Sequence, residues 1–166
     1  SLLDGGPGLF VVPCEGHFFQ YSGHWVDYAL RRSLPDSLTF EQLVESFSQH
    51  IRASNERTSQ TSPVDLVGKW DIPRFANHLR TYGRLQYEEQ GFRGFLDAYI
   101  EAIHTSLCGD EPLPDRFVEK SVEHAEFAAL LRKLYPDSKF VHVIRNPYAT
   151  LVALRKHQTR RQYPFL

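Results

Sequence analysis

Residues 117–157 read FVEKSVEHAEFAALLRKLYPDSKFVHVIRNPYATLVALRKH, which predicts a strand, a helix, a second strand and a second helix. Residues 117–119 have the character of a strand end, and apolar residues then recur at helical spacing over residues 127–134. Residues 139–144 are rich in β-branched and aromatic side chains, which is typical of a buried parallel strand. Pro147 suits the first position of the next helix. Strands that alternate with helices predict an α/β fold with a parallel sheet.

The junction between the second strand and the second helix has the features of an anion site. In an open α/β sheet, ligands bind in the crevice at the carboxyl ends of strands. Arg145 ends the predicted strand with a permanently charged planar group suited to phosphate, and Asn146 is the predicted N-cap. The free N–H groups of a helix N-terminus also favour anions. An alternative stays open, in which Arg145 is a surface residue and Asn146-Pro147 is simply a helix start.

Residues 139–154, KFVHVIRNPYATLVAL, resemble the sulfotransferase segment that binds the 3′-phosphate of the donor 3′-phosphoadenosine 5′-phosphosulfate (PAPS). In that family a strand ends in an arginine, a helix follows, and a serine eight positions later often shares the phosphate. Arg145 matches the arginine, and the serine position falls on Ala153, which cannot donate a hydrogen bond. Lys120 and the serine after it also resemble the block that lies upstream in the family. The resemblance implies a 3′-phosphate site at Arg145, Asn146 and Ala153.

Near the start of the chain, LFVVP at residues 9–13 is a short apolar run that predicts a buried strand. The sequence that follows, Glu-Gly-His-Phe-Phe at residues 15–19, resembles a second sulfotransferase block. In the carbohydrate-directed branch of the family, the glutamate of this block is the general base and the histidine lies beside it. The resemblance implies that Glu15 is the catalytic base and His17 a helper on the substrate side. An aspartate that often follows in the family falls near Gln20 here.

The residues themselves leave other interpretations open for both side chains. A carboxylate after a strand end, flanked by aromatic residues, suits general base chemistry. Glu15 is alternatively a solvated loop residue, and His17 a half-buried histidine with a satisfied partner. In the family, the loop that holds the 5′-phosphosulfate precedes this block. We therefore expect that loop upstream of residue 1, with residues 1–166 as one partial sulfotransferase domain.

Lys120 lies at the carboxyl end of its predicted strand, as Arg145 does of its own. Strand ends on one edge of a parallel sheet face the same crevice. Lys120 is therefore a candidate to stabilise charge on the transferred sulfonate or to hold an acidic acceptor. The alternative is a surface lysine that pairs with Glu119 or Glu123.

Most of the chain between the two strands is predicted to be helical. Thr39 and Gln42 form a capping box before an amphipathic helix. Residues 53–63 are polar, which indicates a mobile loop or hinge. Further helices are predicted from Gly23, from Pro73 and over residues 91–107. In sulfotransferases the corresponding region shapes the acceptor site.

The composition is that of a globular protein that can bury a core, with 42% hydrophobic and 13% aromatic residues among 166. The formal net charge of -1 gives no basic bias toward nucleic acid or a membrane surface. No apolar run reaches the length of a membrane span. Two cysteines, Cys14 and Cys108, are too few for a disulfide framework, and no Cys/His spacing indicates zinc. We expect both to be free thiols.

Together, these features predict an α/β, P-loop NTPase-like fold with a central parallel sheet flanked by helices. The resemblance implies sulfonate transfer from PAPS, a co-substrate, to a hydroxyl or amine, with carbohydrates among the acceptor classes and no metal. The alternatives are a P-loop nucleotide kinase and a non-catalytic α/β binding module. The expected location is the cytoplasm, or the Golgi lumen for a eukaryotic carbohydrate sulfotransferase.

Overall fold

Two short parallel strands, β1 (Leu9–Val11) and β2 (Arg116–Val118), pair in the computed structural model, which describes residues 6–13, 15–21, 39–61 and 70–160. Phe10 lies opposite Phe117, and the pairing continues past the strands through a hydrogen bond from the backbone N–H of Val12 to the oxygen of Val118 (2.9 Å). Both strands were predicted from their apolar sequences. Because the pair is parallel, their carboxyl ends lie at one edge.

The chain divides into two compact units, Ser1–Leu134 and Tyr135–Leu166. In its described part, the first unit contains both strands and the following helices: α1 (Phe18–Tyr21), α2 (Phe40–Thr61), α3 (Ile72–His78), α4 (Arg84–Gln90), α5 (Phe92–Cys108) and α6 (Ala128–Leu134). The second unit contains α7 (Pro147–Arg160). Helix α6 confirms the helix predicted before Pro136.

An aromatic core lies between α5 and the helices around it. Tyr99 of α5 is fully buried, and its ring centroid is 4.5 Å from that of Phe47 on α2. Phe18 of α1 stacks on Phe47, with centroids 5.3 Å apart, and its ring centroid lies 5.4 Å from that of Tyr99. Burial of large aromatic side chains contributes much of the stability of a small domain. This core therefore fixes α1, and the chain just before it, against α5.

The capping box at the start of α2 is confirmed, but the predicted loop after this helix is wrong. The backbone N–H of Thr39 donates to Gln42 Oε1 (2.8 Å), and the N–H of Gln42 donates to Thr39 Oγ1 (3.3 Å). The helix continues to Thr61, through most of the segment predicted as a hinge. That segment is polar, yet it contains neither glycine nor proline before Pro63. A helix that has already formed can therefore continue through it.

The helices predicted from Pro73 and over residues 91–107, between the two strands, are confirmed. Helix α3 begins one residue before Pro73, and Asp71 Oδ1 caps it by accepting from the N–H of Arg74 (2.9 Å). A π-helical turn, Leu79–Gly83, joins α3 to α4. Gly91 separates α4 from α5 at a φ of 61°, a conformation that favours glycine. The helix predicted from Gly23 lies outside the described residues.

The strand predicted at residues 139–144 is wrong. Residues 139–144 form neither a strand nor a helix, and Val141 and Ile144 expose 83% and 82% of their surface. A β-branched sequence forms a strand only where another strand supplies its backbone hydrogen bonds, and none does so among the described residues. The architecture is therefore a mixed helix and strand fold. Its parallel sheet has two strands in the described part, instead of the larger central sheet that was predicted.

The free energy of unfolding should depend on pH because of the ionisation of His104. This residue of α5 is buried against the two strands. Its ring packs edge-on to Phe10, with centroids 4.9 Å apart, and is 4% exposed. Burial lowers the pKa of His104, and the nearby Glu111 carboxylate opposes this in part. The folded state therefore favours the neutral ring, whereas the unfolded chain binds a proton below its ordinary pKa of about 6.5. Stability should be complete above that pH and should decrease as the pH falls through it.

Denaturant unfolding of the wild-type protein and of His104→Gln between pH 5 and 8 measures this contribution. Between pH 8 and pH 5, the free energy of unfolding should decrease less for His104→Gln than for the wild type. The same exchange at the exposed His142 is the matched control and should leave the pH profile unchanged. Parallel profiles for the wild type and His104→Gln would contradict the assignment.

Candidate active site

The carboxyl ends of β1 and β2 bring two of the predicted catalytic residues into contact. Glu15 lies four residues after β1 ends, and Lys120 lies two residues after β2 ends. The Nζ atom of Lys120 is 2.5 Å from Oε1 of Glu15. The side chains are 75% and 31% exposed, so this ion pair lies at the protein surface and is accessible to a ligand.

His17, the third predicted catalytic residue, contacts the other oxygen of the same carboxylate. Its Nε2 atom lies 3.3 Å from Oε2 of Glu15, and its side chain is 25% exposed. His50 of α2 approaches from the protein side, with Nε2 3.3 Å from the backbone oxygen of Glu15. An ammonium group and an imidazole thus flank one carboxylate. A proton acceptor beside a cation is a suitable arrangement for proton removal combined with stabilisation of negative charge.

The backbone of residues 15–17 adopts a constrained turn. His17 has a φ of 50°, in the left-handed region that costs a non-glycine residue roughly 1–2 kcal/mol. The hydroxyl of Tyr99 donates to the backbone oxygen of Gly16 (2.7 Å), and the N–H of His17 donates to Ser121 Oγ (3.0 Å). These bonds join the turn both to the aromatic core and to the chain after β2.

Glu119 is a contact residue of the turn that the sequence did not reveal as part of the site. Its Oε1 atom accepts hydrogen bonds from the N–H of Gly16 (3.1 Å) and from Ser121 Oγ (2.5 Å). In the structure Lys120 pairs with Glu15. The alternative prediction was a pair with Glu119 or Glu123, and the side chain of Glu123 lies outside the described part of the chain.

The three residues predicted to bind the 3′-phosphate lie in the second unit. Arg145 and Asn146 are exposed just before α7, and Ala153 is exposed on that helix. Asn146 is the N-cap, as predicted, because its Oδ1 accepts from the N–H groups of Tyr148 (2.9 Å) and Ala149 (3.3 Å). This cap contradicts the prediction of free N–H groups at the helix N-terminus, since the asparagine oxygen already occupies two of them.

Cys108 is a free thiol at the end of α5 and is half-buried. Burial raises its pKa, and the neighbouring Glu111 carboxylate raises it further. The thiol is therefore protonated at neutral pH, unlike a nucleophilic cysteine. Cys14 lies outside the described residues.

In the part of the chain that the structure describes, no group of three or more His, Cys, Asp or Glu side chains is placed to hold a metal ion. Its helices include none that is both long and apolar enough to cross a membrane.

Comparison with known proteins gives one match. The sequence model described as "Sulfotransferase family" matches residues 36–165. This region includes Lys120, Arg145, Asn146 and Ala153, whereas Glu15 and His17 precede it. No curated protein and no solved structure matches the chain.

Proposed function

This chain belongs to the sulfotransferase family, and from that premise we propose that it transfers a sulfonate group from PAPS to a hydroxyl or amine acceptor, with carbohydrates as one acceptor class. The observation that carries the proposal is the contact of Lys120 and His17 with the two oxygens of Glu15. A loop upstream of residue 1 would hold the 5′-phosphosulfate. The family favours this activity over nucleotide kinase chemistry.

In the proposed reaction Glu15 is the general base. Its carboxylate takes the proton of the acceptor hydroxyl or amine, and the acceptor atom forms a bond to sulfur. The bond between sulfur and the phosphate oxygen breaks, and its electron pair leaves with adenosine 3′,5′-bisphosphate. Each carboxylate oxygen has two lone-pair sites, so Glu15 can keep its contacts with Lys120 and His17 while it accepts the proton.

Lys120 and His17 have separate roles in this proposal. The ammonium group of Lys120, which is 75% exposed, can turn toward sulfonate oxygens and stabilise the charge that spreads over them during transfer. His17 orients the carboxylate through its contact with Oε2 of Glu15 and, being 25% exposed, would assist on the substrate side. As in phosphoryl transfer, the protein mainly aligns the reactants and stabilises charge.

We propose that the 3′-phosphate binds at Arg145, with Asn146 as the second donor. The N-cap bonds leave little of the helix N-terminus for an anion, because the oxygen of Asn146 accepts from two of its N–H groups. The planar guanidinium group and the side-chain N–H of Asn146 remain suited to phosphate oxygens. The methyl group of Ala153 would add no hydrogen bond.

Replacement of Arg145 by alanine tests the donor site. In the full-length protein, with the loop proposed upstream of residue 1, adenosine 3′,5′-bisphosphate should bind in the micromolar range. Arg145→Ala should weaken that binding by about 1.5–3 kcal/mol, the value of a hydrogen bond to a charged group. Isothermal calorimetry measures the change. Lys156→Ala, which removes an exposed positive charge later in α7, is the control and should retain the wild-type affinity. Equal affinities for Arg145→Ala and the wild type would refute this site.

A further inference from the structure

We propose that Glu119 is a positioning residue whose buried carboxylate holds the turn of residues 15–17 against the end of β2 and so sets the Glu15–Lys120 pair. The inference rests on the proposed catalytic role of Glu15. The side chain of Glu119 is 10% exposed, so its carboxylate is largely shielded from solvent.

Glu119 binds the turn in two ways. Directly, its Oε1 atom accepts from the backbone N–H of Gly16 at 3.1 Å. Indirectly, the same oxygen accepts from the hydroxyl of Ser121 at 2.5 Å, and that hydroxyl oxygen accepts from the N–H of His17 at 3.0 Å. Two successive N–H groups of the turn therefore depend on one carboxylate. Hydrogen bonds to an ionised acceptor are stronger than those between neutral groups.

The other oxygen of Glu119 has a partner of its own. The Nδ1 atom of His124 lies 2.7 Å from Oε2, and the His124 side chain is 20% exposed. A buried carboxylate is unfavourable unless charged or hydrogen-bonding groups surround it. The groups around Glu119 come from the turn on one side and from the segment after β2 on the other. Its carboxylate thus connects the two segments that carry the base and the lysine.

The turn fits closely around this carboxylate. A Cβ atom added at Gly16 would lie 2.9 Å from Glu119 Oε1 and 3.4 Å from the ring of Tyr99. Glu119 holds the N–H of Gly16, and Tyr99 holds its backbone oxygen. The peptide is therefore fixed on both sides, which supports the left-handed conformation of His17. A larger residue at position 16 would force the Glu119 carboxylate to move away from the turn.

Sequence adjacency links this geometry to catalysis. Glu15 immediately precedes Gly16, and Lys120 immediately follows Glu119. A shift of the turn relative to the end of β2 changes the position of the base relative to the ammonium group. A displacement of about 1 Å at a reacting group can reduce the rate about a hundredfold. Glu119 therefore acts through Glu15 and touches no substrate.

The test compares Glu119→Ala with Glu119→Gln in two readouts. Glu119→Ala should lower kcat by about 10- to 100-fold, with unchanged affinity for adenosine 3′,5′-bisphosphate, and should accelerate hydrogen exchange of the Gly16 amide measured by NMR. Glutamine retains an acceptor oxygen at the same place, so Glu119→Gln should preserve most of the protection and of the turnover. Glu89→Ala, at an exposed position on α4, is the control and should match the wild type.

The third arm repeats Glu119→Ala in the Glu15→Gln background. If Glu119 acts through the base, the second substitution should cause little further loss of turnover. An equal loss in both backgrounds, or wild-type protection of the Gly16 amide in Glu119→Ala, would overturn the proposal. If the full-length wild-type protein, with the loop proposed upstream of residue 1, transfers no sulfonate, the proposed function fails, while exchange at Gly16 still decides whether Glu119 holds the turn.

Discussion

Glu15→Gln should reduce the turnover of sulfonate transfer by about 10²–10⁴, the usual contribution of general base catalysis, while donor affinity stays at the wild-type level. Glutamine keeps the size and the hydrogen-bonding capacity of glutamate but cannot accept the acceptor's proton at neutral pH. The carboxylate contacts Lys120 and His17 and is 31% exposed, so its removal should affect chemistry more than folding. Initial rates at saturating acceptor, beside nucleotide titrations of the same protein, measure both quantities.

Glu89→Gln at an exposed position on α4 is the matched control and should leave both turnover and affinity unchanged. Unchanged turnover in Glu15→Gln would make Glu15 a structural loop residue, with the base elsewhere. A parallel loss of turnover and donor affinity would mean that Glu15 supports the fold instead.

Lys120→Met should reduce turnover by about 10²–10³, the loss typical when one group that stabilises transition-state charge is removed. Methionine has a similar length but carries no charge. The ion pair with Glu15 is largely exposed at Lys120, and exposed pairs contribute little to stability, about 0–1 kcal/mol. The thermal unfolding midpoint should therefore change little while turnover falls.

Steady-state kinetics and thermal unfolding of Lys120→Met give the two measurements. Lys133→Met, at an exposed position on α6, removes a comparable charge in the same unit and should retain full turnover. If Lys120→Met keeps wild-type turnover, Lys120 is only a surface partner of Glu15. A large fall in the unfolding midpoint would also contradict the assigned role.

The meeting of Glu15 and Lys120 was predictable because it follows from strand direction. Each residue comes shortly after an apolar segment that reads as a strand, and parallel strands place their carboxyl ends at one edge. The α2 capping box and the start of α7 were likewise predictable, because local hydrogen bonds determine them. These features can be predicted without knowing which distant residues contact each other in the fold.

The contacts of Glu119 and Tyr99 with the turn were not predicted, because they join residues about a hundred and about eighty positions apart. The sequence contained one indication of this role. Glu119 comes two residues after Phe117 of β2, and side chains two residues apart along a strand point to the same face. Glu119 therefore shares the inward-packing face of Phe117. A charged residue at an inward position requires partners. Helical periodicity is consistent with an inward position for Tyr99, but it cannot show where the tyrosine hydroxyl donates.

The strand predicted at residues 139–144 and the free N–H groups predicted at the start of α7 are both wrong. The first depends on a neighbouring strand, and the second on which acceptor the N–H groups bind. Residues 139–144 have a strand-like composition, yet a strand requires a neighbour for its backbone, and the described residues supply none. At the start of α7, Asn146 was predicted both as a cap and as the start of an open anion site. The side-chain oxygen cannot cap the helix and leave the same N–H groups free.

The central claim is that the cluster of Glu15, His17 and Lys120 carries out sulfonate transfer. Its most direct test follows labelled sulfonate from PAPS into a mixture of hydroxyl and amine acceptors. It uses the full-length protein, with the loop proposed upstream of residue 1, as wild type and as Glu15→Gln at matched nucleotide occupancy. We expect labelled acceptor with the wild type and a loss of about 10²–10⁴ in its rate of formation with the variant. Equal transfer by both proteins would contradict the claim. So would a wild-type protein that binds the nucleotide but labels no acceptor, which is the behaviour of a binding module.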